Sequence, residues 1–277
     1  MGKKRKYFAI GNSNNTKSGI PDLRILNKGI LMSITVNNKS LTAYRDIFRI
    51  LSNNSEYSEQ EGPNCSFGDL TVEESIELEA KKLKKDESRF KLIDNISRCL
   101  VLIQFNNSSD KPSAMVENLM KNAYENKTLG KSKNDSECLL SSRYVNRLVP
   151  LDIIFPAKLD EIRKNIKTLI LSSFDHAFCS DSGFVKETSS VSWACYYNSR
   201  YSGSEIKRQE IYDLVSELIW GSEDNPKYQE YKKIYPVNLE NPSKSILIEI
   251  TRSFCGISIV NNYHKYCKFN LNKIFSN

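Results

Sequence analysis

The chain has 277 residues, 39% of them hydrophobic and 26% charged, with 40 basic against 33 acidic side chains and a formal net charge of +7. That balance excludes a disordered chain and leaves room for one large or two small hydrophobic cores. No run of 18 apolar residues is present, and no apolar stretch follows the basic start Met1-Gly2-Lys3-Lys4-Arg5-Lys6, so neither a membrane span nor a secretory leader is expected and the chain reads as nuclear or cytosolic.

Charge is unevenly placed. Residues 1–28 hold seven basic side chains against Asp22 alone, a net of +6, and residues 251–277 hold Arg252, Lys265, Lys268 and Lys273 with no acid. Such clusters suit a polyanion, because neutralising phosphates releases counterions; two solubilising ends would carry the same pattern.

In chain order, residues 1–27 are basic, polar and rich in Asn, Ser and Gly, and are expected to form a flexible tail. Gly29 to Val36 (GILMSITV) reads as a buried strand. Leu41, Tyr44, Ile47, Phe48 and Leu51 then recur at helical spacing, with Ser40 placed to cap the start. Residues 53–88 are polar and acidic and read as an insertion whose later half has a solvated helical pattern. Arg89 to Phe105 gives two strand patterns around an Asp94-Asn95 break, and Met115, Val116, Leu119, Met120 and Ala123 mark a helix after Pro112. After a polar loop from Asn126 to Glu137, Arg143 to Phe155 is again strand-like. This strand-helix alternation is the skeleton of a ferredoxin-like α+β layer over residues 28–155.

The second half, residues 156–277, opens with an apolar helical stripe formed by Leu159, Ile162, Ile166, Leu169, Ile170 and Phe174. Asp175 to Ser190 reads as a loop, Val191 to Tyr197 as a strand, and Ile211, Leu214, Val215, Leu218 and Ile219 as a helix followed by a polar loop from Gly221. From Tyr235 to Phe275 a short strand and a turn at Asn241-Pro242-Ser243 precede two strands, Ile246 to Ile250 and Ile257 to Val260, each expected to bury one face, and then a basic, aromatic tail.

Signals for catalysis are absent. The eleven glycines are never closer than six residues, so no G-x-G or P-loop can bring backbone amides onto a pyrophosphate, and His176 and His264 stand in no nucleophile motif. Seven cysteines at 65, 99, 138, 179, 195, 255 and 267 include no C-x-x-C and read as free thiols. A zinc site from Cys255, His264 and Cys267 would lack a fourth ligand, so no metal or cofactor is expected.

What does recur is a cation beside an aromatic ring: Arg143-Tyr144, Tyr197 with Arg200-Tyr201, Tyr228 and Tyr231 with Lys232-Lys233, and Tyr263 to Phe269 with Lys265 and Lys268. RNA binding uses that pairing, cations on phosphates and rings on unpaired bases. The cations of these pairs, Arg143, Arg200, Lys232, Lys233, Lys265 and Lys268, form with Arg147, Lys207, Arg208 and Arg252 the candidate RNA-binding set; taken singly, each pair is equally a half-buried strand tyrosine with a solvated neighbour.

The strings Val237-Asn238-Leu239-Glu240-Asn241-Pro242, Ile248-Glu249-Ile250 and Cys255-Gly256-Ile257-Ser258-Ile259-Val260, followed by Tyr263 and Lys268-Phe269-Asn270-Leu271, resemble the C-terminal part of a THUMP domain. Arg143-Tyr144-Val145-Asn146-Arg147-Leu148-Val149-Pro150 resembles the Arg-aromatic-x-x-Arg-Leu-x-Pro segment of that family, and Ser192 to Arg200 with Arg208 its central strand and following helix. The resemblance is to the stand-alone adaptors of tRNA N4-acetylcytidine formation. It implies an α+β chain with an N-terminal ferredoxin-like domain followed by a THUMP domain, tRNA as ligand, and an RNA cytidine acetyltransferase partner that owns ATP and acetyl-coenzyme A. The implied targets are serine and leucine tRNAs, with no catalysis by this chain. The alternative is a targeting subunit or relic of a THUMP-containing tRNA methyltransferase or thiouridine synthetase.

Overall fold

A computed structural model describes residues 27–53, 89–129, 142–174, 190–200 and 206–276. The expected basic tail and the acidic insertion after Asn53 lie outside the described residues, as do nearly all of the 175–190 loop, His176 and Tyr201.

Among the described residues, one mixed sheet of seven strands organises the chain: β1 (Asn27–Ile34), β2 (Phe90–Ser97), β3 (Leu100–Phe105), β4 (Val145–Phe155), β5 (Trp193–Ser199), β6 (Lys244–Ile250) and β7 (Cys255–Asn261). Their order is β2-β3-β1-β4-β7-β6-β5. Every neighbouring pair is antiparallel except β5 and β6, whose parallel pairing requires a crossover. Helices α4 (Arg208–Trp220) and α5 (Tyr228–Ile234) lie in that crossover. The remaining α-helices among the described residues are α1 (Ser40–Asn53), α2 (Pro112–Thr128), α3 (Leu159–Ser173) and α6 (Leu271–Ser276).

Two cores share this sheet. The first gathers α1, α2, β1 to β4 and the C-terminal tail around Ile30, Leu102, Val116, Leu151 and Phe269; the second gathers α3, α4, α5 and one face of β5 to β7 around Ile166, Val215, Ile248 and Ile257. Strand β6 divides between them by its two-residue period: Ile246, Ile248 and Ile250 enter the second core, while Leu247, between Ser245 and Glu249, enters the first. Both faces of β6 are therefore buried, not the single face its alternation suggested, because the tail folds back over the side that would otherwise meet water.

The halves meet where β4 pairs with β7 through Ile153–Ile257, Ile154–Gly256 and Phe155–Cys255. Gly256 is needed there, since a Cβ would fall 2.6 Å from Leu151 Cδ1. In the second core the indole N–H groups of Trp193 and Trp220 both donate to the Tyr235 carbonyl, at 3.0 and 2.8 Å, tying β5, α4 and the end of α5 to one point.

Several local expectations change. The β2–β3 reversal falls at Arg98-Cys99, with Cys99 at φ 58°, and Asp94 stays in β2, where it accepts the Ser40 hydroxyl at 2.7 Å. That bond between distant segments takes the hydroxyl expected to cap α1, which instead follows a 3₁₀ turn at Asn37–Lys39. The loop after Gly221 contains α5, the short strand before β6 shrinks to a single bridge between Val237 and Trp193, and the tail forms a 3₁₀ turn at Cys267–Phe269 and then α6.

Candidate nucleic-acid interface

The parallel register of β5 on β6 sets Tyr196 beside Leu247 and Asn198 beside Glu249 on the first-core side of the sheet. Beyond β7 the chain turns at Asn262 (φ 54°) and lays the Tyr263 ring 5.2 Å from that of Tyr196, with Phe269 edge-on to Tyr263 at 5.1 Å. Cys267, Lys268 and Phe269 all take positive φ, 52°, 56° and 56°. Left-handed backbone disfavours each such side chain by roughly 1–2 kcal/mol, so the packing of Phe269 and Leu271 must hold this turn in place. The turn carries Lys268 over the Tyr196 ring, 5.8 Å from its centre.

Glu249 is the one charged residue of β6's buried run, and its side chain is 1% exposed. It accepts hydrogen bonds from Asn198 Nδ2 at 2.9 Å, Arg200 Nε at 2.8 Å and Arg200 Nη2 at 3.2 Å. A buried carboxylate needs such partners, since desolvation otherwise drives it to protonate. Burial pulls the Arg200 guanidinium downward, and the hydrogen bonds and charge of Glu249 outweigh it, leaving Arg200 above its usual pKa.

Arg147 projects from β4, which bridges to Asn270 of the tail, and its buried Nε has no hydrogen-bond partner among the described residues. Burial pushes the Tyr263 hydroxyl up to about 12, with the charges of Arg147 and Arg200 opposing the rise. The Tyr196 hydroxyl lies 2.7 Å from His264 Nε2, and burial first, then the charge of Lys268, hold that imidazole below its ordinary pKa.

Of the sequence-predicted residues, Arg147, Arg200 and Lys268 surround this one patch. Arg143 is exposed just ahead of β4, and Lys265 sits against Tyr124 of α2 and Tyr266 of the tail, its Nζ 5.6 and 5.7 Å from the two ring centres. Lys207, Arg208, Lys232 and Lys233 belong to the second-core side: Arg208 lies over Tyr197 at 6.0 Å, and Lys232 over Trp220 and Tyr228 at 5.4 and 5.5 Å. Arg252 is exposed in the β6–β7 turn. The imagined zinc ligands do not converge, for Cys255 faces the second core and Cys267 packs on the first, and among the described residues no group of three His, Cys, Asp or Glu could hold a metal. Glu249, Asn198 and Tyr196 were not in the predicted set; the visible signal was a lone carboxylate inside Ser245-Ile246-Leu247-Ile248-Glu249-Ile250. No described helix is long and apolar enough to cross a membrane.

No protein-family model matches the sequence. A THUMP domain-containing protein 1 homolog of Drosophila melanogaster is 32% identical over 130 residues, 47% of this chain and 33% of that protein. The Saccharomyces cerevisiae protein named tRNA acetyltransferase TAN1 is 24% identical over 247 residues, 84% of this chain and 77% of its own. The chain is similar in sequence to THUMP domain-containing proteins. It spans only a third of the length of the fly THUMP protein, and with the yeast protein it aligns over most of both chains. Among solved structures, a 4-thiouridine synthetase in complex with RNA and bound ATP overlaps loosely, with a TM-score of 0.35 and 9% identity over 85% of this chain and 42% of that one.

Proposed function

We propose that the chain is a non-catalytic tRNA-binding adaptor that presents tRNA, serine and leucine tRNAs among them, to an RNA cytidine acetyltransferase for N4-acetylcytidine formation. The observation that carries the reading is the convergence of Arg147, Arg200 and Lys268 around Tyr196 and Tyr263 on one face. The name of the yeast relative supports the modification. We further read residues 28–155 as a ferredoxin-like domain and 156–277 as the THUMP domain; the order β1-α1-β2-β3-α2-β4, with β1 and β3 central in an antiparallel arrangement, supports the first. ATP and acetyl-coenzyme A belong to the partner, and the adaptor contributes by holding the target cytidine in place of a bimolecular search. Double-stranded RNA hides its base edges, so the grip is on backbone shape and unpaired ends.

The test is direct. The purified chain should bind tRNA at low salt with an affinity that falls steeply as salt rises, and Arg143→Ala with Arg147→Ala should weaken that binding while the thermal melt is retained. Nucleoside mass spectrometry of tRNA from depleted cells should show N4-acetylcytidine lost; an unchanged level would remove the proposal.

A further inference from the structure

Two arginine-carboxylate forks occur among the described residues, and comparing them separates a pin from a receptor. Arg89 grips Asp110 through Nε at 2.7 Å and Nη2 at 2.6 Å, with side chains 13% and 7% exposed, so both partners are spent inside the fold. Arg200 grips Glu249 with the same two nitrogens, but its side chain is 31% exposed while Glu249 is 1%. A guanidinium has five N–H donors in one plane, and holding the carboxylate with two leaves three that point away from it.

We propose that Glu249 fixes the Arg200 guanidinium as a receptor for one phosphate group, completed by Arg147 and the Tyr263 hydroxyl. The inference rests on the tRNA reading above and names where the polyanion is held. Phosphate oxygens match a planar fork in two parallel bonds, and a fork already immobilised loses little freedom on binding. Arg147 adds a second cation, near enough that its charge and that of Arg200 both act on the Tyr263 hydroxyl, whose ring packs beside Tyr196. Lys268, held over Tyr196 by the left-handed turn, supplies a third cation. Three cations against one buried carboxylate leave the patch positive. Asn198, held by the same carboxylate, keeps Glu249 from rotating toward the ligand.

Charge alone and positioning predict opposite signs for one substitution. Glu249→Gln removes a negative charge, so pure electrostatics gives tighter tRNA binding, whereas loss of the fixed fork gives weaker binding, about threefold. Arg200→Lys keeps the charge and loses the fork, and should weaken binding roughly tenfold with the salt dependence unchanged. Tyr263→Phe keeps the ring packing, removes only the hydroxyl, and should cost about threefold; it stays informative even where Glu249→Gln fails to fold. The measurements are tRNA affinity at three salt concentrations, each variant's thermal melt, and two further arms: tRNA stripped of its terminal phosphate, and inorganic phosphate as competitor. Unchanged binding by stripped tRNA assigns the site to a backbone phosphodiester; weakened binding assigns it to the terminal phosphate. If the unaltered chain binds tRNA while Arg200→Lys and Tyr263→Phe bind equally well, the receptor is overturned and the function stands. If the unaltered chain binds no tRNA even at low salt, the function falls and this inference with it.

Discussion

Replacing Gly256 by Ala tests the join between the two cores. The added Cβ would lie 2.6 and 2.7 Å from the two terminal methyls of Leu151, a fully buried side chain. Carbon atoms rest at about 3.5–4.0 Å, so the overlap is about 1 Å at two contacts, and Leu151 must leave its rotamer or β4 must move from β7. An off-rotamer side chain together with overpacking costs about 2 kcal/mol, which for a chain of this size lowers the melting temperature by roughly 4–8 °C. Leu151→Ala alone should cost about 3 kcal/mol, since it empties a packed site. Combined, the two changes should cost about 3 kcal/mol, because the new methyl occupies the space the leucine vacates; the coupling is therefore about 2 kcal/mol. Urea denaturation of the four proteins measures it. Costs that add to within about 0.5 kcal/mol would refute the argument that Gly256 exists to admit Leu151.

Other consequences are as open to measurement. Gly29→Ala would place a Cβ 2.1 Å from the Ile103 carbonyl oxygen, a backbone atom that no rotamer change can clear, so it should destabilise more than Gly256→Ala in the same denaturation series. Arg89→Met strands Asp110 inside the fold and should cost about 3–5 kcal/mol, with much of it recovered in the double variant that also carries Asp110→Asn. His264 titrates below its ordinary value in the folded chain, so the unfolded chain takes up its proton first as pH falls. That stability is fully present above about pH 6.5 and is lost as pH drops toward the folded value, while Glu117 and Asp152, raised by burial, act in the opposite sense at lower pH. The difference in melting temperature between the unaltered chain and His264→Gln should therefore shrink below pH 6.5; a constant difference would show that His264 does not titrate there.

Legibility followed the range of the interactions. The stripes of α2 and α3 and the apolar runs of β1, β4, β6 and β7 are written in neighbouring residues, because periods of 3.6 and 2 are properties of the local backbone. The cation-aromatic pairs were visible for the same reason, and Arg147, Arg200 and Lys268 could be named from sequence alone. The fates of the cations were not visible. Arg200 meets Glu249 across 49 positions of sequence, and Tyr196 meets His264 across 68, distances that no window of residues contains. Nor could Lys265 or Lys232 be assigned to a side of the sheet before α2 and α5 were placed. The sequence by itself determined that this is a folded chain of mixed helices and strands with two basic ends, an aromatic C-terminal tail and no glycine-rich phosphate loop. Tertiary structure alone decided that the two halves share one sheet, that the tail covers the open face of β6, and that Arg200, unlike Arg89, stays partly exposed while holding its carboxylate, because burial of a given side chain depends on segments far away in the chain.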